Sequence, residues 1–559
     1  MIKSSTGNFW NLKSEESLHS RNILKVLLKN RDKNIDFLAA SLRTSTPEPL
    51  IFKDMSKAVN RIYRAITEKQ PIAILGDYDV DGICSTCILL KFFEEIGVQC
   101  SYHIPSRIDE GYGFSSENID KYKDNLIIAV DCGSSAIDEL QYAQGAGVDV
   151  IVLDHHKMTE IPKTYALVNA HRPDESGDFQ YLCATGIVFL CVVALNRLLR
   201  EKGFYQDRQE VAVRDYLDLV ALATVCDVVE LVELNRAFVI SGLEVIKQRK
   251  NIGIKALLSL SKSDVIDTSA VAFFIGPHLN AAGRIKTADI GVKLLMTQDE
   301  QEAIQLANEL SELNKTRKRI ETEIIDKVAE QIDPSHKFIC MFNRSWHLGV
   351  IGIVAGRLKD KYNRPAILIA EGFDGICRGS CRSVESLDIS MVIKKAVQAG
   401  LLINGGGHTM AAGFSIEIDK IPSFINFLEE NFEFECSPKT LIADGKIDME
   451  NISSVLFREI EKVAPFGEGN RYPQFVFSDV VIISAKVVSE QHVSVIVKDK
   501  KGRTMSGICF KSVDTLLGNI LMQCRERMDI LGEFYISSWK GHRTLGIQIK
   551  DVALKHQFK

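Results

Sequence analysis

"ILGDYDVDGICST", residues 74–86, begins as a strand and then sets three carboxylates, Asp77, Asp79 and Asp81, on alternate residues before a glycine. Ile72, Ala73, Ile74 and Leu75 form an apolar run without alternation, which is how a strand covered on both faces reads. A helix is expected over Ser85–Ile96. Like charges packed this tightly repel one another, so the stretch needs something positive to hold it.

Strands of the same texture follow at "CSYHIP", "NLIIAVD" and "VDVIVLD", with helical segments between them. Strand and helix alternating over 71–170 predict a parallel sheet with helices on both faces. Ligands bind such open sheets beyond the carboxyl ends of the strands. Three of those ends are acidic, at Asp77, Asp131 and Asp154, so the acids should gather along one crevice. Residues 299–332 read as one long amphipathic helix, with Ala303, Leu306, Leu310, Leu313, Ile320 and Ile324 as its seam. The basic run "NKTRKR" across its middle is either a solvated face or a connector that touches phosphates. A second α/β unit is expected over about 337–430, including the glycine run "NGGGHTMAAG". After about 440 short β-runs separated by turn signals suggest a small barrel.

The 559 residues suggest three or four domains, and 46% hydrophobic with 25% charged residues is ordinary globular composition. A net charge of −5 gives no global basic field, so polyanion binding must come from local patches. No apolar run approaches a membrane span, and "MIKSSTGNFWNLKSEES" lacks the apolar core of a secretory signal. A cytoplasmic protein with no membrane partner is expected. The thirteen cysteines then read as reduced thiols. Cys84 and Cys87 form a Cys-x-x-Cys without a second pair, so core packing is favoured over a zinc or redox site.

Carboxylates converging at strand ends are stable if they hold divalent cations. Asp79, Asp81, Asp131, Asp227 and one histidine of the Asp154-His155-His156 triplet make an oxygen-rich set that favours Mn²⁺ or Mg²⁺ over zinc. Five such ligands suffice for two ions, the arrangement that clamps both oxygens of a phosphoryl displacement. A lone Asp-x-Asp is common in loops and a His-His pair is common on surfaces. The metal reading rests on these motifs ending successive strands of one series.

The signatures "DYDVDG", "AVDCG" and "DHH" resemble those of DHH phosphoesterases. "SRIDEGYG" (106–113), "ALATVCDVVEL" (221–231), "PHLNAAGRI" (277–285), "WHLGVIGIVAGR" (346–357), "GSCRS" (379–383), "GGGHTMAAG" (405–413) and "APFGEGNRYPQF" (464–475) follow in order. Together they resemble the bacterial RecJ family of single-strand-specific exonucleases, over nearly the whole chain after about residue 45. The resemblance implies an α/β fold of two α/β domains joined by a long helix, plus a C-terminal OB-fold barrel. Its parts are an N-terminal segment 1–45, a parallel-sheet DHH domain 46–298, a connecting helix 299–335, a smaller DHHA1 domain 336–432 and the barrel 433–559. It implies 5′→3′ release of mononucleotides from single-stranded DNA in repair and recombination, with two divalent cations.

By the same resemblance Asp79, Asp81, Asp131, His155 and Asp227 are metal ligands. His156 sits at the reacting phosphate and Asp77 orients a ligand or water. Arg284, Ser380 and Arg382 form a pocket for a 5′-terminal phosphate, with Asn280 and His408 as further phosphate or DNA contacts. Arginine suits phosphate because its planar fork bonds two oxygens at once. Arg107 and Tyr112 are candidates for the leaving nucleotide or the strand, with a structural role equally open. Arg471 stands where the family commonly has proline, a change that touches no ligand.

In the barrel segment "KDKKGR" reads as a hairpin tip, and Phe475, Phe477, Phe510, Tyr535 and Trp539 supply rings. Single-strand binders combine a basic groove with stacking rings. Phe475 and Phe477 read better as core, and Trp539 as the exposed candidate. The expected partners are single-stranded DNA with a 5′ end, a single-stranded-DNA-binding protein and a RecQ-type helicase. The alternatives are a phosphodiesterase of short oligonucleotides or cyclic dinucleotides, and a non-catalytic replication scaffold. The barrel argues against the first and the full set of carboxylates against the second.

Overall fold

The computed structural model describes residues 1–106, 114–435, 438–539 and 542–555, and the chain divides into two compact units. The larger holds 41–230 and 234–436, the smaller 1–40, 231–233 and 437–559.

In the larger unit a five-stranded parallel sheet runs in the order Cys100–His103, Ile72–Gly76, Leu126–Val130, Val150–Leu153, Ala166–Val168. The central strands are wholly buried, which explains their unbroken apolar sequence. Register fixes the site. Gly76 lies opposite Val130, Val130 opposite Leu153, and Leu153 opposite Val168. The next residues, Asp77, Asp131, Asp154 and Asn169, therefore come off one edge of the sheet side by side. The short strand Ala166–Val168 was not foreseen, because three residues carry too little periodicity.

The helix after the first strand spans Val80–Glu95, starting five residues before the expected position. Asp79 caps it, accepting from the Asp81 and Gly82 amides at 2.9 and 3.2 Å. Those two backbone donors face no intrahelical acceptor, so a carboxylate at this position starts the helix. Cys84 and Cys87 are fully buried in it, and burial pushes the Cys87 thiol up to about 12, as core packing requires.

The long helix spans Glu300–Ala329. Its buried face is Ala303, Ala307, Leu310, Asn314, Glu321, Ile324 and Val328, so Leu306, Leu313 and Ile320 of the expected seam lie half-buried beside it. "NKTRKR" splits by helical period. Arg317 turns inward to the buried Glu321, which also pairs with Arg357, while Lys315 and Arg319 are exposed. Beyond it a mixed sheet runs Asn404–His408, Ala411–Ile416, Cys377–Arg382, Ala366–Glu371, Ile339–Phe342. The glycine run forms the exposed edge strand of a hairpin in that sheet.

In the smaller unit Phe475–Val488, His492–Lys498, Thr504–Cys509, His542–Leu554 and Met528–Trp539 pair in sequence, and the first pairs back to the last, closing a five-stranded barrel. Phe475 and Phe477 are core, and Phe510 is exposed. The side chain of Trp539 lies outside the described residues. The basic tip is tied down by acids. Lys500 pairs with Asp479, and Lys501 and Arg503 pair with Glu450.

Residues 1–40, which carried no motif, complete this unit. Strand Phe9–Leu12 runs parallel to Thr440–Ala443, and Trp10 is fully buried with its indole N–H on Asp551 at 2.9 Å. Arg31 clamps the turn that holds Arg471, bonding Asn470 Oδ1 at 2.9 Å, the Arg471 carbonyl at 2.8 Å and Asp444 at 3.1 Å.

Candidate metal centre

Each acid reaches the site by a different local device. Asp77 follows the first strand and is buried; Asp79 is a helix cap. Asp81, in the first turn of that helix, is buried against the start of helix Ala184–Glu201. It accepts from the Ala184 and Thr185 amides at 2.7 and 2.9 Å and from the Thr185 hydroxyl at 2.5 Å. A helix N-terminus offers free donors and a favourable dipole, so it can hold this carboxylate rigidly. Asp131 ends its strand at φ +59°, a left-handed conformation uncommon for a non-glycine residue and typical of positions fixed by their surroundings. Asp227 follows helix Leu217–Cys226.

His155 Nε2 faces Asp81 at 3.7 Å, Asp131 at 3.4 Å and Asp227 at 3.6 Å. Ligands about 2.1 Å from one ion and at right angles to each other lie about 3 Å apart. One imidazole nitrogen ringed by three carboxylates slightly beyond that spacing fits the donor arrangement a single cation needs. Ligand atoms of Asp81, His155 and Asp227 lie within 4.8 Å of one another, as do those of Asp77, Asp79 and Asp131, and those of Asp131, His155 and His156. The structure thus places Asp77 among the potential ligands.

Electrostatics point the same way. Burial first, then the neighbouring carboxylates, push Asp79 up, Asp131 well up and Asp227 to about 9. Asp131 Oδ1 and Asp227 Oδ2 are buried and accept no hydrogen bond. Buried carboxylate oxygens that neither ionise freely nor find donors are unfavourable as they stand, and divalent cations resolve both faults. The donor set, carboxylates with one or two imidazoles, fits Mn²⁺ or Mg²⁺.

Asp154 was passed over as a working residue, yet it organises the histidines. Its Oδ1 accepts from the His155 amide at 2.7 Å, the His156 amide at 3.2 Å and His156 Nδ1 at 2.8 Å, and its Oδ2 from the Ser134 amide at 3.0 Å. Burial pushes Asp154 up, but His156 and the Ser134 bond outweigh it and hold the carboxyl low. Burial pushes His156 down, but Asp154 and the charges of Asp77 and Asp227 raise it to about 9. A carboxylate only accepts, so Nδ1 carries the proton. The signal was there: Asp154 ends its own strand.

The expected phosphate residues also converge. Asn280 and Arg284 are four residues apart on helix Gly276–Ile285, hence on one face. Ser380 and Arg382 share a face of strand Cys377–Arg382, and Arg382 pairs across Ala411 with His408. Arg284 Nη1 donates to the Gly349 carbonyl at 3.2 Å, at the start of helix Leu348–Tyr362. A Cβ on Gly349 would lie 2.1 Å from the Arg284 carbonyl, and one on Gly352 2.8 Å from Ser380 Oγ and 3.4 Å from Arg382 Nη2. The two glycines let that helix end approach all three residues. Arg107 and Tyr112 lie outside the described residues.

Comparison with known proteins matches the arrangement. The DHH family N-terminal domain matches residues 71–224, the DHHA1 domain 335–433 and the RecJ OB domain 443–551. The single-stranded-DNA-specific exonuclease RecJ of Escherichia coli is 33% identical over 530 residues, covering 89% of this chain and 90% of that protein. The Bacillus subtilis RecJ is 30% identical over 525 residues, covering 91% of this chain; the chain spans 64% of that relative's length. The crystal structure of Thermus thermophilus RecJ in complex with Mn²⁺ superposes with a TM-score of 0.79 at 26% identity, covering 97% of this chain and 79% of that one. A Mg²⁺ complex of the same protein also matches, at 0.75. Three domain matches in the expected order, and relatives similar over nine-tenths of the chain, agree with the acids and the barrel: this chain belongs to the RecJ family of DHH-type exonucleases.

Proposed function

We infer that this chain is a metal-dependent hydrolase that degrades single-stranded DNA from its 5′ end, releasing mononucleotides, in repair and recombination. The observation that carries the reading is the group of five aspartates and two histidines at the carboxyl edge of one parallel sheet. The cations, when bound, supply neutralisation of the carboxylates and Lewis-acid polarisation of the phosphate.

Asp79, Asp81, Asp131, His155 and Asp227 hold the ions, with Asp77 beside them. Asp81 is the rigid member, fixed by a helix N-terminus. His156 is anchored through Nδ1 to Asp154, which holds its ring as a charge and proton partner for the reacting phosphate next to Asp131. Arg284, Ser380 and Arg382 bind a terminal phosphate, supported by Asn280 and His408. A terminal phosphate carries more charge than a diester, so paired arginines select chain ends. The domains 46–298, 299–335, 336–432 and 433–559 carry chemistry, connection, end binding and strand binding respectively. Arg107, Tyr112 and Trp539 complete the DNA contacts.

No helix among the described residues is long and apolar enough to cross a membrane. A cytoplasmic setting, with single-stranded-DNA-binding protein and a RecQ-type helicase supplying the strand, fits this activity. The test is digestion of end-labelled single strands with Mg²⁺ and with Mn²⁺. Mononucleotides released first from the 5′ end support the reading; dinucleotide-only cleavage, or none, overturns it.

A further inference from the structure

The row Asp77, Asp131, Asp154 has a fourth member that is not an acid. Asn169 follows the edge strand as the three aspartates follow theirs, and it is completely buried. Its amide nitrogen donates to Ser134 Oγ at 2.8 Å and to the His156 carbonyl at 2.9 Å, and its Oδ1 accepts from the His171 amide at 2.7 Å. Both amide protons are therefore committed.

These bonds close a ring. His156 bonds Asp154 through its imidazole and its own amide; Asp154 bonds the Ser134 amide; the Ser134 hydroxyl accepts from Asn169; and Asn169 returns to the His156 carbonyl. Ser134 is also buried, three residues beyond Asp131. The ring stitches the loop carrying both histidines to the loop carrying Asp131. With Asn169 removed, His156 would keep its imidazole bond but lose the anchor on its carbonyl. Asp154 and His156 could then shift together relative to Asp131.

We propose that Asn169 is a positioning residue for the phosphodiesterase reaction, setting where the His156 ring stands over the metal group without touching substrate itself. The proposal rests on the hydrolase reading above. An amide is required because two donors and one acceptor must leave a single planar group. Aspartate has the same shape but presents an acceptor oxygen to the His156 carbonyl, and repels it. Groups that orient residues around a metal typically matter by about 10–100-fold in activity or metal affinity.

The experiment compares wild type, Asn169→Asp and Ser134→Ala on 5′-phosphorylated single strands with Mn²⁺. Asn169→Asp is expected to lower kcat about 10–100-fold with KM for the strand unchanged, because strand binding lies elsewhere. Ser134→Ala keeps the bond from Asn169 to His156 and is expected to lose less. A second readout needs no turnover: in the metal-free protein the imidazole proton of His156 on Asp154 gives a downfield NMR signal. That signal is expected to move or broaden in Asn169→Asp and to persist in Ser134→Ala. A folded Asn169→Asp with wild-type kcat and an unchanged signal overturns the proposal. If Asn169→Asp does not fold, Asn169→Ser, which keeps one short polar group but not the span to His156, is read by the same two measurements. Absence of cleavage by the wild type would instead overturn the hydrolase reading.

Discussion

At the scale of single residues, charge decides what the site can hold. Asp131 sits centrally among the acids, and burial with like charges keeps its carboxyl well above the ordinary range. Asp131→Asn should reduce cleavage below about a thousandth of wild type while leaving strand binding intact. Relief of repulsion should raise the metal-free melting point by about 2–4 °C. Mn²⁺ should raise the melting point of wild type much more than that of the variant; wild-type turnover by the variant would remove Asp131 from the metal group. Asp218 offers a cleaner pH test, away from these ligands. Burial raises it to about 6, only partly offset by the Leu219 amide and Lys91. Its folded pKa exceeds its unfolded one, so the fold disfavours the ionised form. The cost is absent below about pH 4 and complete above about pH 6, and from 3.8 to about 6 it corresponds to about 3 kcal/mol. Asp218→Asn should therefore melt higher than wild type at pH 7.5 and level with it at pH 4. The convergence of the acids was legible because carboxylates ending successive strands show in residue type and spacing. Asp154 was legible as a strand end but not as the anchor of the histidines, and Asn169 was not legible at all, because a hydrogen-bond ring exists only once the strands are in register.

At the scale of elements, the residues proposed to bind the chain end come from three places: a helix, a strand and a hairpin edge. The arginines and the serine were legible only through family resemblance. What the structure adds is the close approach at Gly349 and Gly352 that brings helix Leu348–Tyr362 against them. Arg382→Ala should erase most of the preference for 5′-phosphate over 5′-hydroxyl ends and slow cleavage of phosphorylated ends about tenfold or more. Matched strands differing only at that end decide it, and an unchanged preference would move the pocket elsewhere. The long helix was legible in outline and mistaken in detail. A basic run looks uniform in one dimension, yet at 3.6 residues per turn Arg317 points to Glu321 while its neighbours face water.

At the scale of the whole molecule, the barrel was readable from its strand texture, but its partner segment was not. Strand Phe9–Leu12 has four residues and its neighbour lies more than 400 positions away, a distance no local pattern spans. Deleting 1–40 should leave Asp551 buried without Thr6, Asn8 and Trp10 as donors and uncover the core around Leu18 and Ile23. The smaller unit should then unfold well below its normal temperature while the 41–436 unit keeps its transition, by calorimetry on the two chains. A single unchanged profile would mean the segment is an ornament.

That division also bears on synthesis. A ribosome delivers residues 1–40 long before most of their mates, which lie beyond position 437. At about 5–20 residues per second the wait is about 20–80 s. During it Trp10, Leu18 and Ile23 have no native place to go, while the intervening 41–436 unit can complete itself. The early arm thus stays without its native neighbours until the barrel strands of 475–554 have been made.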